Sequence, residues 1–173
     1  MTVLETERLS LRKFTVDDAE FILTLLNEPA FLRYIGDKKV RNLEDARQYI
    51  LTGPVASYER YGFGLLLVEL KESHTPVGMC GLLKREQLPD PDIGFALLSD
   101  FWNKGFAFEA AAAVLQDAVQ RLKLERIVAI TTLDNDASIG LLQRLGFSFE
   151  KIVQMSPEGE QLKLFASESL AAD

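Results

Sequence analysis

The stretch Phe101-Trp102-Asn103-Lys104-Gly105-Phe106-Ala107-Phe108-Glu109-Ala110 decides how the rest of the chain is read. An apolar, strand-like run (residues 93–98) precedes it, and an alanine-rich run with helical spacing (residues 109–122) follows. Gly105 has no Cβ and Ala107 is small, so an anion can come close to the main chain there. The free N–H groups of the next helical turn point into the same space. The stretch reads as a main-chain site for a phosphate-bearing cofactor. It reads equally as a plain strand-to-helix connection with Gly for geometry.

Upstream, residues 6–12 alternate polar and apolar, with Leu9 and Leu11 on one face, which predicts a first strand. Thr15 with Asp18 three residues later forms a capping pattern, and Ala19, Ile22, Leu25 and Leu26 follow at helical spacing. Asn27-Glu28-Pro29 closes that helix. Asn42 to Asp45 repeats the cap before a second helix through Ile50, and Gly53-Pro54 restarts a short one. Residues 63–70 and 77–83 are apolar runs around a polar turn, a predicted hairpin. His74 in that turn is expected to be solvated, and Cys80 in the returning strand to be core.

Downstream, residues 126–132 are β-branched and read as a buried strand. Asp134-Asn135-Asp136 can cap a helix through Leu145, with Gly146 placed for its left-handed C-terminal residue. Two more strands are predicted over 147–154 and 161–166, followed by a frayed tail over 167–173. The elements predict one α/β domain spanning 1–173, its hairpin half joined to a β-α-β-α half.

Composition narrows the partners. The net charge of −7 argues against a sequence-independent nucleic-acid surface and suits a cationic, amine-bearing partner better. No apolar run approaches the roughly 20 residues a membrane span needs. The first residues lack the pattern of a secretory signal. A single cysteine and a single histidine give no disulfide framework and make a Cys/His zinc site implausible; the expected location is cytoplasmic. No Gly-x-x-x-x-Gly-Lys-Ser/Thr run supports a nucleoside-triphosphate enzyme.

Three separated signatures then agree. Thr6-Glu7-Arg8-Leu9-Ser10-Leu11-Arg12 resembles the opening strand of the GNAT acetyltransferases, in their ribosomal-protein N-terminal acetyltransferase-like branch. Ile93-Gly94-Phe95 leading into residues 101–110 resembles that branch's acetyl-CoA pyrophosphate loop. Asn135-Asp136-Ala137-Ser138, followed by Leu145-Gly146-Phe147, resembles its Asn-x-x-Ser and Leu-Gly-Phe ending. Departures exist: Asn103 stands where Gly is frequent, Ser99 where Pro is frequent, and Phe165 near a Tyr that acts as an acid in some relatives.

The resemblance implies a mixed, mostly antiparallel sheet of about seven strands flanked by about four or five helices. It implies acetyl-CoA as cofactor, without a metal, and acetyl transfer to a primary amine. That amine belongs to a protein N-terminus or a small molecule, and the protein is a monomer or homodimer. Main-chain groups of Leu97 and Leu98 would bond the pantetheine arm as an added strand, and a strand N–H beside Phe95, Ala96 or Leu97 would serve as oxyanion donor. Main-chain groups of Asn103, Lys104, Gly105, Phe106 and Ala107 would hold the pyrophosphate. Asn135 would bond the thioester end or cap a helix, and Ser138 would serve the departing sulfur or cap the same turn.

For the base, Asp92 is the first candidate and Glu69 the second, each equally readable as a strand-end charge. Tyr34, Ile35 and Gly36, with Tyr61, Gly62 and Phe63, would line the acceptor entrance between the first helices and the hairpin. The rival reading is a non-catalytic acyl-CoA-binding module.

Overall fold

The computed structural model describes residues 2–168. Its backbone is one eight-stranded sheet in the order β1-β2-β3-β4-β5-β6-β8-β7. The strands are β1 (Thr2–Glu5), β2 (Leu9–Lys13), β3 (Leu65–Leu70), β4 (Pro76–Leu83), β5 (Asp92–Leu97), β6 (Arg126–Thr132), β7 (Ser148–Val153) and β8 (Leu162–Glu168). Every neighbouring pair is antiparallel except β5 and β6. The helices are α1 (Ala19–Leu26), α2 (Pro29–Tyr34), α3 (Leu43–Ile50), α4 (Ala56–Tyr61), α5 (Phe106–Gln120) and α6 (Asp136–Arg144).

Several local expectations need correction. The first strand is a pair, β1 and β2, because the chain bends at Glu7 and Arg8 and the Thr6 N–H turns back to Leu9 C=O at 2.9 Å. That raises the strand count from about seven to eight. Pro29 ends α1 but also starts α2, occupying the first-turn position where its missing N–H costs nothing. Pro54 does not restart a helix. It sits inside a π turn (Leu51–Val55) that joins α3 to α4 without a break. The six α-helices among the described residues therefore exceed the expected number. The tail expected to fray from 167 is a strand through Glu168, and 169–173 lie outside the described residues.

The capping signals hold. Thr15 and Asp18 form a capping box, and Asn42 accepts from the Asp45 N–H at 2.8 Å. Alternation along the strands then sends apolar side chains to both faces. On one face Leu9, Leu11, Leu66, Val68, Ile127, Ala129 and Phe165 pack under α5, whose Ala110, Ala111, Val114 and Ala118 form its buried stripe. Alanine is the best helix former and lets α5 lie close on the sheet. On the other face Leu65, Leu67 and Met79 meet Ile22, Leu25, Leu26, Ala46 and Ile50 of α1 and α3. A side chain at Gly78 would put its Cβ 2.3 Å from Ala96 O, so glycine lets β4 close on β5. Cys80 is fully buried, and burial pushes its thiol up to about 12. No helix of the described residues is long and apolar enough to cross a membrane.

Candidate active site

The sheet opens in one place. β5 is registered on β4 from Gly78↔Leu97 to Leu83↔Asp92, and β6 on β8 from Arg126↔Glu168 to Thr132↔Leu162. Between β5 and β6 the register holds a single pair, Asp92↔Val128, with Val128 N–H donating to Pro91 C=O at 3.0 Å. Beyond it the two strands diverge and leave facing main-chain edges.

Strand alternation decides which groups face that gap. Leu98 N–H donates to Val77 C=O at 2.9 Å, so the alternate residues Gly94 and Ala96 also turn their polar groups to β4. Phe95 and Leu97 turn theirs to the opening. This corrects the expectation for Ala96 and Leu98: the Ala96 main-chain groups face β4, the Leu98 N–H donates to Val77 and its C=O accepts from the Phe101 N–H at 3.0 Å. Leu97 C=O is also taken, by the Trp102 indole N–H at 3.0 Å. The Phe95 N–H and C=O and the Leu97 N–H are left facing the opening. On β6, the buried Thr131 hydroxyl has no hydrogen-bond partner among the described residues.

The opening leads to the start of α5. Gly105 is its N-cap, with φ +82°, a left-handed geometry that favours glycine, and no side chain caps the helix. The first intrahelical bond there runs from Glu109 N–H to Gly105 C=O at 3.1 Å. The N–H groups of Phe106, Ala107 and Phe108 therefore lack intrahelical acceptors. Asn103 also has positive φ, +61°, which Asn tolerates better than most residues. The Lys104 side chain is exposed.

On the other bank, Asn135 accepts from Ser138 N–H at 3.3 Å and caps α6. Both readings of Asn135 stay compatible, because only its carbonyl oxygen is used. The Asn135 side-chain N–H₂ and the Ser138 hydroxyl have no hydrogen-bond partner among the described residues. Asp92 sits at the closed end of the opening and is fully buried. Arg85 Nε reaches both its oxygens, at 3.1 and 3.2 Å. Burial pushes the Asp92 carboxyl above the usual range, against the opposing pull of Arg85.

The remaining candidates lie elsewhere. Glu69 is on β3, separated from β5 by β4, and its carboxylate is held by Arg12 at 3.5 Å and His74 at 3.3 Å. That places it in a structural ion cluster with Asp18, not at the opening, and His74 remains a solvated turn residue, its side chain 75% exposed. The two acceptor triplets are also apart. Tyr34 ends α2 and Ile35 and Gly36 follow it; α2 is tied to the open end by Arg33–Asp134 at 3.3 Å. Arg33 holds the Asp134 carboxyl below its usual range. Tyr61, Gly62 and Phe63 precede β3, whose first pair, Leu65↔Gly81, lies level with Gly94 near the closed end. Tyr61 stacks on Phe63 at 5.6 Å. Phe165 is core, edge-on to Phe149 at 5.9 Å.

Sequence reasoning missed three contributors here: Arg8, Trp102 as a side chain, and Thr131. Arg8 lies 2.9 Å from Lys104 O through a terminal N–H and stacks over Phe106 at 4.4 Å. Its position within the Thr6 to Arg12 signature was visible, but its partners are about a hundred residues away.

Comparison with known proteins gives consistent relatives. A family profile described as an acetyltransferase (GNAT) domain matches residues 8–148. The N-acetyltransferase YoaA of Bacillus subtilis (strain 168) is 31% identical over 154 residues, 88% of this chain and 86% of that protein. A GNAT-family acetyltransferase structure from Bacillus anthracis superposes with a TM-score of 0.79 at 25% identity, covering 98% of this chain and 99% of that one. RimL, a ribosomal L7/L12 alpha-N-protein acetyltransferase solved with coenzyme A, shares the fold with a TM-score of 0.84 at 18% identity, covering 99% of each chain.

Proposed function

The chain belongs to the acetyltransferase (GNAT) family, and from that premise we propose that it moves an acetyl group from acetyl-CoA to a primary amine within a ternary complex. The acceptor amine belongs to a protein N-terminus or a small molecule. One observation carries the reading: a strand edge opened by a single β5–β6 pair leads straight to an uncapped, glycine-started helix. An extended arm ending in a diphosphate fits that edge and that helix start.

When bound, acetyl-CoA supplies an activated thioester carbonyl. Phe95 and Leu97 would hold the arm by main-chain bonds, and the N–H groups of residues 103–107 with Phe108 would hold the diphosphate. The Phe95 N–H is free to donate to the carbonyl oxygen as charge grows there, a contact whose loss typically costs about 10²–10³ in rate. The attacking amine must be neutral, and a lysine-type amine has a pKa of about 10.4. Asp92 would accept the proton. Its burial raises its basicity, and because Arg85 closes it off the proton would reach it by a relay and not by direct contact with the amine. Ser138 would donate a hydrogen bond to the departing sulfur, which needs only mild help because it leaves with a pKa of about 8.5 by analogy with Cys. Tyr34, Ile35 and Gly36 would border the acceptor entrance. Positioning of amine and thioester supplies much of the acceleration.

The test is transfer of isotopic acetyl from acetyl-CoA to a library of peptide N-termini and amines. An acetylated acceptor supports the reading. CoA uptake without any acetylated product would favour a non-catalytic binding module.

A further inference from the structure

The Arg8 side chain comes from outside the loop that it serves. It leaves the bend between β1 and β2, which is braced from behind: Lys71 N–H donates to Arg8 C=O at 2.8 Å and Lys71 Nζ to Thr6 C=O at 2.9 Å. In front, Glu109 in the first turn of α5 gathers this bend. Its Oε1 accepts from Arg8 Nε at 2.8 Å, and its Oε2 accepts from the Arg8 main-chain N–H at 2.9 Å and from the Thr6 hydroxyl. These bonds hold the Glu109 carboxyl below its usual range, against its partial burial.

The guanidinium is thus fixed along one edge. Nε is bound to Glu109, one terminal nitrogen (Nη1) donates to Lys104 C=O at 2.9 Å, and the plane rests 4.4 Å from the Phe106 ring centre. The other terminal nitrogen, Nη2, has no partner among the described residues. It lies 3.3 Å from where a Cβ on Gly105 would stand. A fixed cation therefore presents free donors at the position where glycine keeps the helix entrance clear. Glu109 neutralises part of its charge from the far side, and the Arg8 side chain remains 43% exposed.

We propose that Arg8 is a diphosphate-binding and loop-positioning residue, delivering Nη2 to the cofactor while its other nitrogens hold the Lys104 carbonyl and the Glu109 carboxylate. This rests on the acetyl-CoA reading above. It adds a side-chain cation from the first strand pair to a site otherwise made of main-chain N–H groups. A planar donor held on a carboxylate and a carbonyl suits a phosphate oxygen better than a mobile ammonium does.

The test is calorimetry with CoA, and with pantetheine, which lacks the diphosphate, by displacement. Arg8→Ala is expected to weaken CoA by about 10- to 100-fold, the range for a charge-assisted contact, and to flatten the salt dependence of its affinity. Pantetheine affinity should be unchanged. Arg8→Lys should restore the salt dependence but only part of the affinity, which keeps the test open if the alanine variant folds poorly. CoA affinity at the wild-type level in Arg8→Ala would overturn the proposal. So would an equal loss for pantetheine, which would mean that the substitution had disturbed the β5 edge and not the diphosphate contact. Absence of CoA uptake by the unmodified protein would instead overturn the acyl-transfer reading, and the role of Arg8 with it.

Discussion

Asp92 and Val128 form the only registered pair between β5 and β6, and the Asp92 carboxylate at that junction is fully enclosed and bound to Arg85. The narrow end of the opening is therefore also where a carboxyl is driven above its ordinary pKa by burial.

That coupling has a definite sign. A carboxyl raised in the folded state binds its proton more tightly there than in the unfolded chain, so its contribution is present at low pH and lost as pH rises through the folded value. Relative to Asp92→Asn, the unmodified protein should gain stability as pH falls from 7 toward the unfolded value of about 3.9. Urea unfolding at stepped pH measures this, and a constant difference would contradict it. In the enzyme assay, Asp92→Asn should lose the rising acidic limb of the kcat/KM profile.

Gly105→Glu places a side chain at φ +82° and a second negative charge at the diphosphate position. The strained backbone costs about 1–2 kcal/mol, readable by denaturation. CoA binding should be abolished, and retained affinity in calorimetry would count against the loop.

Ser138→Ala keeps the main-chain N–H that Asn135 caps, because that bond does not use the hydroxyl. Stability and CoA affinity should hold, while kcat falls by about 10²-fold, the low end for losing a donor to developing negative charge. Unchanged turnover would leave Ser138 a residue of the capped turn only.

Ile127 is fully buried under α5, on the strand that forms the far bank of the opening. Ile127→Ala should cost about 2–5 kcal/mol. The denaturant midpoint reports it.

Local rules were legible where a single residue settles a local choice. Thr15 with Asp18, Asn42, Asn135 and Gly105 each mark a helix start, because capping acts within three or four residues. Pro29 marked the end of α1 but not the start of α2, and Pro54 misled, because proline both stops and starts helices and tertiary contacts choose. The direction of the Phe95 and Leu97 main chain was not legible, since it depends on the register against β4. Arg8 with Glu109, and the separation of Tyr34 from Tyr61, are products of topology, which no local pattern encodes.

The alternation along β5 leaves a trace in solvent exchange. The Gly94, Ala96 and Leu98 amides are tied to β4, while those of Phe95 and Leu97 look into the gap. Deuterium should thus enter every second position of one strand quickly and its neighbours slowly, a zebra pattern within a single rigid element. A carrier seated in the gap would erase the fast stripes, so the protein reports its own occupancy through two protons.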